Sequence, residues 1–330
     1  MTKVLITGGA GFIGGHLAGH LLENGCSVDL IDNFKRGVRD GLLAKLEAEP
    51  RVRLIERDLL AADGLAGLDD DYDHIYHLAA IIGVAMVLER PFEVLRDNTT
   101  MLVNALEFAA RQKQLSRFLF ASTSEVYAGT LKHFELAIPT PEDTPLAITD
   151  PASPRTSYML SKIYGEALCL HSGLPVTLVR PHNFYGPRMG MAHVIPELLK
   201  KAHQAEEGAA IEVFSLDHRR TFCYIQDAVR LMAALVNSDE AVGRVFNIGS
   251  PAGETAIGDL AQAIFDLLGK DQKIDGRPAT PGSPTRRCPD LSRTLQVAGL
   301  DCFTSLEDGL RQTWDWYREQ IFEGNEVCAK

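Results

Sequence analysis

Tyr158 and Lys162 stand four residues apart in Ser157-Tyr158-Met159-Leu160-Ser161-Lys162. On a helix that spacing places a phenol and an ammonium on one face, one turn from each other. Pro151 and Pro154 lie just upstream, which predicts a helix that starts near residue 155 and runs through Ala167-Leu168-Cys169. A fixed ammonium beside a phenol favours the phenolate and should lower the Tyr158 pKa from about 10 toward working pH. The chemistry this offers is general-base removal of a proton from a hydroxyl group. A second cluster, Ser122-Thr123-Ser124-Glu125-Val126-Tyr127, comes after the apolar run Arg117-Phe118-Leu119-Phe120-Ala121. If that run is a parallel strand, the hydroxyls of Thr123 and Ser124 and the carboxylate of Glu125 sit at its C-terminal edge, where open α/β sheets place chemistry.

A third cluster could hold an anion. Lys3-Val4-Leu5-Ile6-Thr7 reads as a strand, and Gly8, Gly11 and Gly14 come next as G-x-x-G-x-x-G before a helical run from His16 to Leu22. Glycines let the backbone approach a pyrophosphate, and the helix start supplies N–H groups without partners. The next strand, Ser27-Val28-Asp29-Leu30-Ile31, ends in Asp32. An acid there accepts from adenosine ribose hydroxyls and repels a 2′-phosphate, so NAD is favoured over NADP.

Elements must bring these clusters together. Val52–Glu56, Asp73–Leu78 and Pro175–Val179 read as further strands, Pro91–Arg111 as a long helix containing Asn98, and Val245–Gly249 as a strand returning to the sheet. Ala79 and Ala80, small residues after the fourth strand, leave room for a cofactor. His193–Gln204, Ile225–Val236 and Leu306–Gln320 read as helices, Ile211–Phe214 as a strand, Lys270–Pro289 as a loop and 323–330 as a frayed tail. The expected fold is α/β: a Rossmann-type, doubly wound parallel sheet in residues 1–180, completed by 225–250. A smaller α/β lobe would be built mainly from 181–330.

Composition narrows the partners. The 330 residues are 45% hydrophobic and 23% charged, the balance of a globular protein with a large core. A net charge of −11 argues against general affinity for nucleic acid or an acidic membrane surface. Six scattered cysteines without a C-x-x-C pair read as reduced thiols, and no targeting or membrane-spanning segment is evident. The expected location is cytoplasmic, with no metal.

Five motifs occur in one order: Thr7-Gly8-Gly9-Ala10-Gly11-Phe12-Ile13-Gly14, His77-Leu78-Ala79-Ala80, Ser122 to Tyr127, Tyr158-x-x-x-Lys162, and Arg180-Pro181-x-Asn183-x-Tyr185-Gly186-Pro187. Together they resemble the extended short-chain dehydrogenase/reductase family of nucleotide-sugar epimerases, dehydratases and decarboxylases. The resemblance implies NAD held by Gly8, Gly11, Phe12, Ile13, Gly14, Asp32, Asn33, Asp58, Leu59, Leu78, Ala79, Ala80 and Asn98, with Tyr158 and Lys162. It implies Thr123, Tyr158 and Lys162 as the catalytic set, and Thr123, Asn183, Arg220, Asn247 and Arg287 as contacts of a nucleotide sugar.

The shared first step in that family is removal of the C4 hydroxyl proton by the tyrosine while hydride passes from C4 to NAD. The reactions then diverge according to the residues after Thr123. Here they are Ser124-Glu125, not the Asp-Glu of the 4,6-dehydratases, and simple 4-epimerases usually have no carboxylate at the second position. Thr-Ser-Glu-Val-Tyr, with Arg287 ahead of Cys288-Pro289, is most similar to the UDP-glucuronate decarboxylases. The resemblance therefore implies C4 oxidation of a UDP-uronic acid with loss of carbon dioxide, with Ser124 or Glu125 helping to protonate C5 and Arg287 orienting the carboxylate. The alternative is a 4-epimerase acting on a UDP-hexose or UDP-uronate; a 4,6-dehydratase or a silent NAD-binding scaffold stands further back. Departures at Ile81-Ile82-Gly83-Val84 and Ser215–Arg219 border the expected sugar or nucleotide pocket. A homodimer is expected through Pro91–Arg111 and Arg155–His171, which carry Leu102, Leu106, Met159, Ile163 and Leu170.

Overall fold

The computed structural model describes residues 1–61, 63–279 and 283–324, so 325–330 of the expected frayed tail, including Cys328, lie outside the described residues. Six strands precede residue 182, with helices in every connection but the one from β3 to β4: β1 (Lys3–Thr7), β2 (Ser27–Asp32), β3 (Val52–Glu56), β4 (His74–His77), β5 (Arg117–Ala121) and β6 (Val176–Pro181). The returning strand, Arg244–Ile248, pairs with β6 and completes a sheet of order returning strand–β6–β5–β4–β1–β2–β3. Every pairing in it is parallel. The chain starts at the centre, winds outward to β3, then crosses to β4 and winds the other way. The crevice of such a sheet opens between β1 and β4, where the direction changes.

Side-chain alternation explains why both faces are covered. Along β1, Val4 and Ile6 enter one apolar cluster and Leu5 enters the other, as a strand period of two requires. The first cluster packs helix α1 (Phe12–Glu23) and the Ile225–Val236 helix against the sheet. The second packs the Pro91–Ala109 helix, through Met101, Leu102, Ala105 and Phe108, against Phe118 and Phe120 of β5. This is a doubly wound, Rossmann-type α/β fold.

After β6 several strands are only two residues long. Ala210–Phe214 pairs in parallel with Lys273–Arg277, and Arg219–Arg220 lies between Thr255–Ala256 and Arg286–Arg287. The expected loop over 270–289 thus contains two strands. Their partners are remote in sequence, and their Gly- and Arg-rich composition carries no strand pattern of its own. A helix absent from the expectations, Ile257–Leu268, buries Leu260, Ala261, Ile264 and Phe265 on one face and ends at Gly269 in the left-handed region. Among the described residues, no helix is long and apolar enough to cross a membrane.

Candidate active site

The glycine turn is packed so tightly that side chains would not fit. A Cβ on Gly8, whose φ is +73°, would come within 2.9 Å of the Ala79 backbone nitrogen, and one on Gly14 would run into the Gly8 carbonyl. The turn therefore lies directly against the end of β4. Helix α1 begins at Phe12 with no side-chain cap and no acid in its first turn, so its N-terminal N–H groups are open to an anion. Asp32 closes the far side of the turn, accepting from the backbone N–H groups of Ala10 (3.1 Å) and Phe34 (2.9 Å). Asp58, ion-paired with Lys35 at 2.9 Å, flanks it. Leu59 is buried below, and Leu78 and Ala79 are tied by backbone N–H donation to the carbonyl and hydroxyl oxygens of Thr7. A crowded backbone turn, an uncapped helix start and a carboxylate one strand over fit a dinucleotide.

Asn98 does a different job from direct contact. Its amide exchanges two hydrogen bonds with the Ile81 backbone and reaches the Ser161 hydroxyl, fixing the segment after Ala80 against the Tyr158 helix.

That helix spans Thr156–His171. It lies close to β5 because residue 165 is glycine: a Cβ there would meet the Phe120 ring at 2.6 Å. Thr123 caps the short 3-10 turn Ser124–Tyr127, its hydroxyl accepting from the Glu125 N–H at 3.2 Å, and it lies beside the Tyr158 phenol. Thr123, Glu125 and Tyr158 are thus brought to one place, with Ser124 buried in the same turn.

The expected lowering of the Tyr158 pKa by Lys162 requires correction. Burial pushes the phenol up to about 12, against the lowering influence of the neighbouring Thr123 hydroxyl; Glu125 adds to the rise and Arg36 opposes it. The Lys162 ammonium instead donates to the Ala121 carbonyl at 2.7 Å and lies 5.9 Å from the Tyr158 ring centroid. Burial lowers Lys162 itself to about 8. Sharing a helical face does not bring an ammonium to a phenolic oxygen when a carbonyl is nearer.

Arg220 and Arg287 are neighbours in register on the paired strands Arg219–Arg220 and Arg286–Arg287. Arg287 reaches Glu125 with Nη2 to Oε1 at 2.7 Å, and this guanidinium holds the half-buried carboxyl below its ordinary range. Arg220 folds back on Ser283 and Pro284, and burial, with the charge of Arg287 beside it, lowers it to about 10. Asn183, at φ +44°, donates to the Thr221 carbonyl at 3.0 Å and so anchors the Arg220 strand. Asn247 differs from its expected place as a nucleotide-sugar contact. It is fully buried, its oxygen meets Tyr127 and His182, and its amide donates to the Thr140 and Asp290 carbonyls, so no polar atom is left for a ligand.

Several working residues were given no role from the sequence. Beneath the Thr123 turn, Glu166 of the Tyr158 helix forms a two-pronged ion pair with Arg180 of β6 (2.8 and 2.7 Å) and accepts from the Ser122 hydroxyl at 2.6 Å. Arg180 also donates to the Tyr127 hydroxyl at 2.7 Å. The signal was a buried-strand arginine, which needs a carboxylate partner. Arg36 donates across the cleft mouth to the Ile82 carbonyl at 2.7 Å. Arg188, one residue beyond the Gly-Pro motif, reaches the glycine turn.

The model of the NAD dependent epimerase/dehydratase family matches residues 4–249. A UDP-N-acetyl-alpha-D-glucosaminuronate decarboxylase of Bacillus cytotoxicus is 35% identical over 96% of this chain and 98% of its own length. UDP-glucuronic acid decarboxylase 1 of Xenopus tropicalis is 32% identical over 97% of this chain and 73% of its own. Among solved structures, UDP-glucuronic acid 4-epimerase from Bacillus cereus, in complex with UDP-glucuronic acid and NAD, superposes with a TM-score of 0.83. It is 30% identical, over 96% of this chain and 99% of that one. A glycine turn under an uncapped helix, an acid at the end of the second strand and a Thr–Tyr–Lys set beside them are what such a match requires, and the chain belongs to the NAD-dependent epimerase/dehydratase family.

Proposed function

We propose that the protein is an NAD-dependent decarboxylase of a UDP-linked uronic acid. The observation that carries this reading is the 2.7 Å pair between Arg287 and Glu125, in the turn whose Thr123 lies beside the Tyr158 phenol. The match to uronate decarboxylases over nearly the whole chain supports it. Bound NAD would supply the hydride acceptor at C4 and, in its oxidised ring, a positive charge beside the phenol.

The chain's residues divide the remaining work. Tyr158 takes the proton of the C4 hydroxyl, with Thr123 holding its oxygen. The incoming uronate carboxylate competes with Glu125 for the planar fork of Arg287, which suits a two-oxygen anion. Once Arg287 turns to the substrate, Glu125 loses the cation that keeps its carboxyl low, and its affinity for a proton rises. With a ketone at C4, the C5–C6 bond breaks, its electron pair passes into a C4–C5 enolate, and carbon dioxide leaves. Glu125, directly or through Ser124 or water, then supplies the C5 proton. Asn183 and Arg220 would face the diphosphate from the segment after β6, within a nucleotide-sugar lobe drawn mainly from 181–330. Incubation with UDP-glucuronate and with UDP-N-acetylglucosaminuronate, read by mass spectrometry, tests this. A product lighter by one carbon dioxide where the C4 ketone is reduced again, or by carbon dioxide and two hydrogens where the ketone leaves as such, is expected with at least one of them.

The second reading is 4-epimerisation of a UDP-uronate, favoured by the structural similarity to the Bacillus cereus enzyme. It would return an inverted sugar of unchanged mass.

The working unit in this reading is a homodimer, through only part of the side chains first expected: Leu170 is exposed and Ile163 half-buried. Leu102, Leu106 and Met159 are spent inside the chain, because the helices that carry them also face the sheet. What the two helices leave outside is Phe92 (68% exposed), Tyr164 and Leu170, with Val84 and Leu88 next to them. A second copy covering this strip would bury it.

A further inference from the structure

Arg188 is a buried cation that the catalytic reading leaves unused. Its side chain is 4% exposed and makes four polar contacts: Nε to the Asp40 carboxylate at 2.5 Å, Nη1 to the Gly11 carbonyl at 3.1 Å, and Nη2 to the carbonyls of Ala10 (3.2 Å) and Val38 (3.3 Å). Its backbone sits at φ +67°, a conformation that a non-glycine residue keeps only where its surroundings over-determine it. Those surroundings cross the molecule. Arg188 comes just after Gly186-Pro187 in the segment that carries Asn183, whereas Ala10 and Gly11 belong to the glycine turn. The neighbouring Pro187 carbonyl lies 2.9 Å from Nε2 of His16, on α1, whose Nδ1 is in turn 3.1 Å from the Gln226 amide. Residue 15 on α1 is glycine where a Cβ would come within 2.2 Å of Arg188 Nη1, which leaves the guanidinium its place.

We propose that Arg188 is a positioning residue that sets the glycine turn for the dinucleotide pyrophosphate, an inference that rests on the NAD-binding reading. Peptide geometry transmits the effect. In a trans peptide the C=O and N–H point in opposite directions. Arg188 joins the Gly15 N–H, which donates to the same oxygen at 3.1 Å, in holding the Gly11 carbonyl on the protein side, so the Phe12 N–H of the same peptide is turned outward at the start of α1. That N–H has no helical partner and no side-chain cap, and it is a donor the pyrophosphate needs. The Ala10 carbonyl is withdrawn in the same way, which also removes a partial negative charge from the anion's path. Asp40 balances the arginine, so the device orients dipoles without adding a free charge, and it makes the cradle dependent on the segment that carries the sugar-side residues.

The test is ligand affinity of the cofactor-stripped full-length chain, measured calorimetrically with NAD, ADP-ribose and adenosine. Arg188→Met should weaken NAD and ADP-ribose by about tenfold or more, the loss expected when charge-assisted positioning bonds are removed. Adenosine, which lacks the pyrophosphate, should bind as to wild type. Arg188→Lys keeps the charge but not the fork, and should recover part of the loss; it carries the test if the methionine variant does not fold. Equal weakening of all three ligands, or unchanged NAD affinity in folded Arg188→Lys and Arg188→Met, would overturn the proposal. Failure of wild type itself to bind NAD or ADP-ribose would instead overturn the cofactor reading on which it rests.

Discussion

At Lys162, charge and burial are in direct conflict, and the conflict has a measurable sign. The ammonium is buried against the Ala121 carbonyl and its pKa falls from 10.5 to about 8. Between those values the unfolded chain binds more protons than the folded one, so stability rises with pH; below about 8 the full cost of the buried charge is present. The shift corresponds to on the order of 3 kcal/mol. Lys162→Met has no such dependence. The variant's stability relative to wild type, from urea unfolding of the cofactor-free chain, should therefore fall by about that amount from pH 7 to pH 10.5; a pH-independent difference would contradict the burial of a charged Lys162. The second residue-scale prediction concerns the Arg287–Glu125 pair. Arg287→Ala should lower the rate of carbon dioxide release on the order of a hundredfold, since a carboxylate then loses its bidentate partner. Glu125→Gln should slow turnover while leaving NAD affinity unchanged, because the proposed mechanism assigns Glu125 to the sugar and not to the cofactor. Equal loss of NAD binding in both variants would show that the pair serves the fold rather than the reaction. Part of this was legible in the sequence: Tyr158, Thr123, Glu125 and Arg287 were all picked out as candidates, but the pairing of Arg287 with Glu125 was not expected. Nor was the direction of the Tyr158 shift, because it depends on burial and on where a flexible lysine finds its nearest acceptor.

The elements matter because no functional side chain here holds itself in place. The Tyr158 helix is fixed to β5 by the close approach at Gly165, to β6 by the Glu166–Arg180 pair, and to the segment after β4 by the Asn98–Ser161 bond. Glu166 and Arg180 are both almost fully buried, and removing one charge of such a pair typically costs about 3–5 kcal/mol because the other is stranded. Glu166→Gln should therefore unfold at markedly lower urea concentration than wild type; a loss below about 1 kcal/mol would mean that the pair is more solvated than its geometry implies. The sheet strands could be read from sequence because their apolar runs alternate with glycine turns and helices, each a local signal. The short strands at Arg219–Arg220 and Arg286–Arg287 could not, since two residues carry no period and their pairing is decided by the distant partner. Asn247 shows the same limit at one side chain: the family resemblance pointed to a ligand, and only the packing around Tyr127, Thr140 and Asp290 reveals that the side chain's bonds are used within the protein.

For the whole molecule, the sheet's change of winding direction between β1 and β4 accounts for where everything converges, with the glycine turn on one side of the crevice and the Thr123 turn beyond it. The strip of Phe92, Tyr164 and Leu170 on the outside predicts the assembly. Light scattering at micromolar concentration should give twice the mass of the chain, and Leu170→Glu with Tyr164→Glu should shift it toward the monomer; a monomeric wild type would contradict the shared face. The central claim, that Tyr158 initiates loss of the uronate carboxyl, is tested most directly by isotope. UDP-uronates carrying carbon-13 in the carboxyl group, incubated with wild type and with Tyr158→Phe, should release labelled carbon dioxide from the wild type and essentially none from the variant. A sugar inverted at C4 that keeps its label would contradict the account.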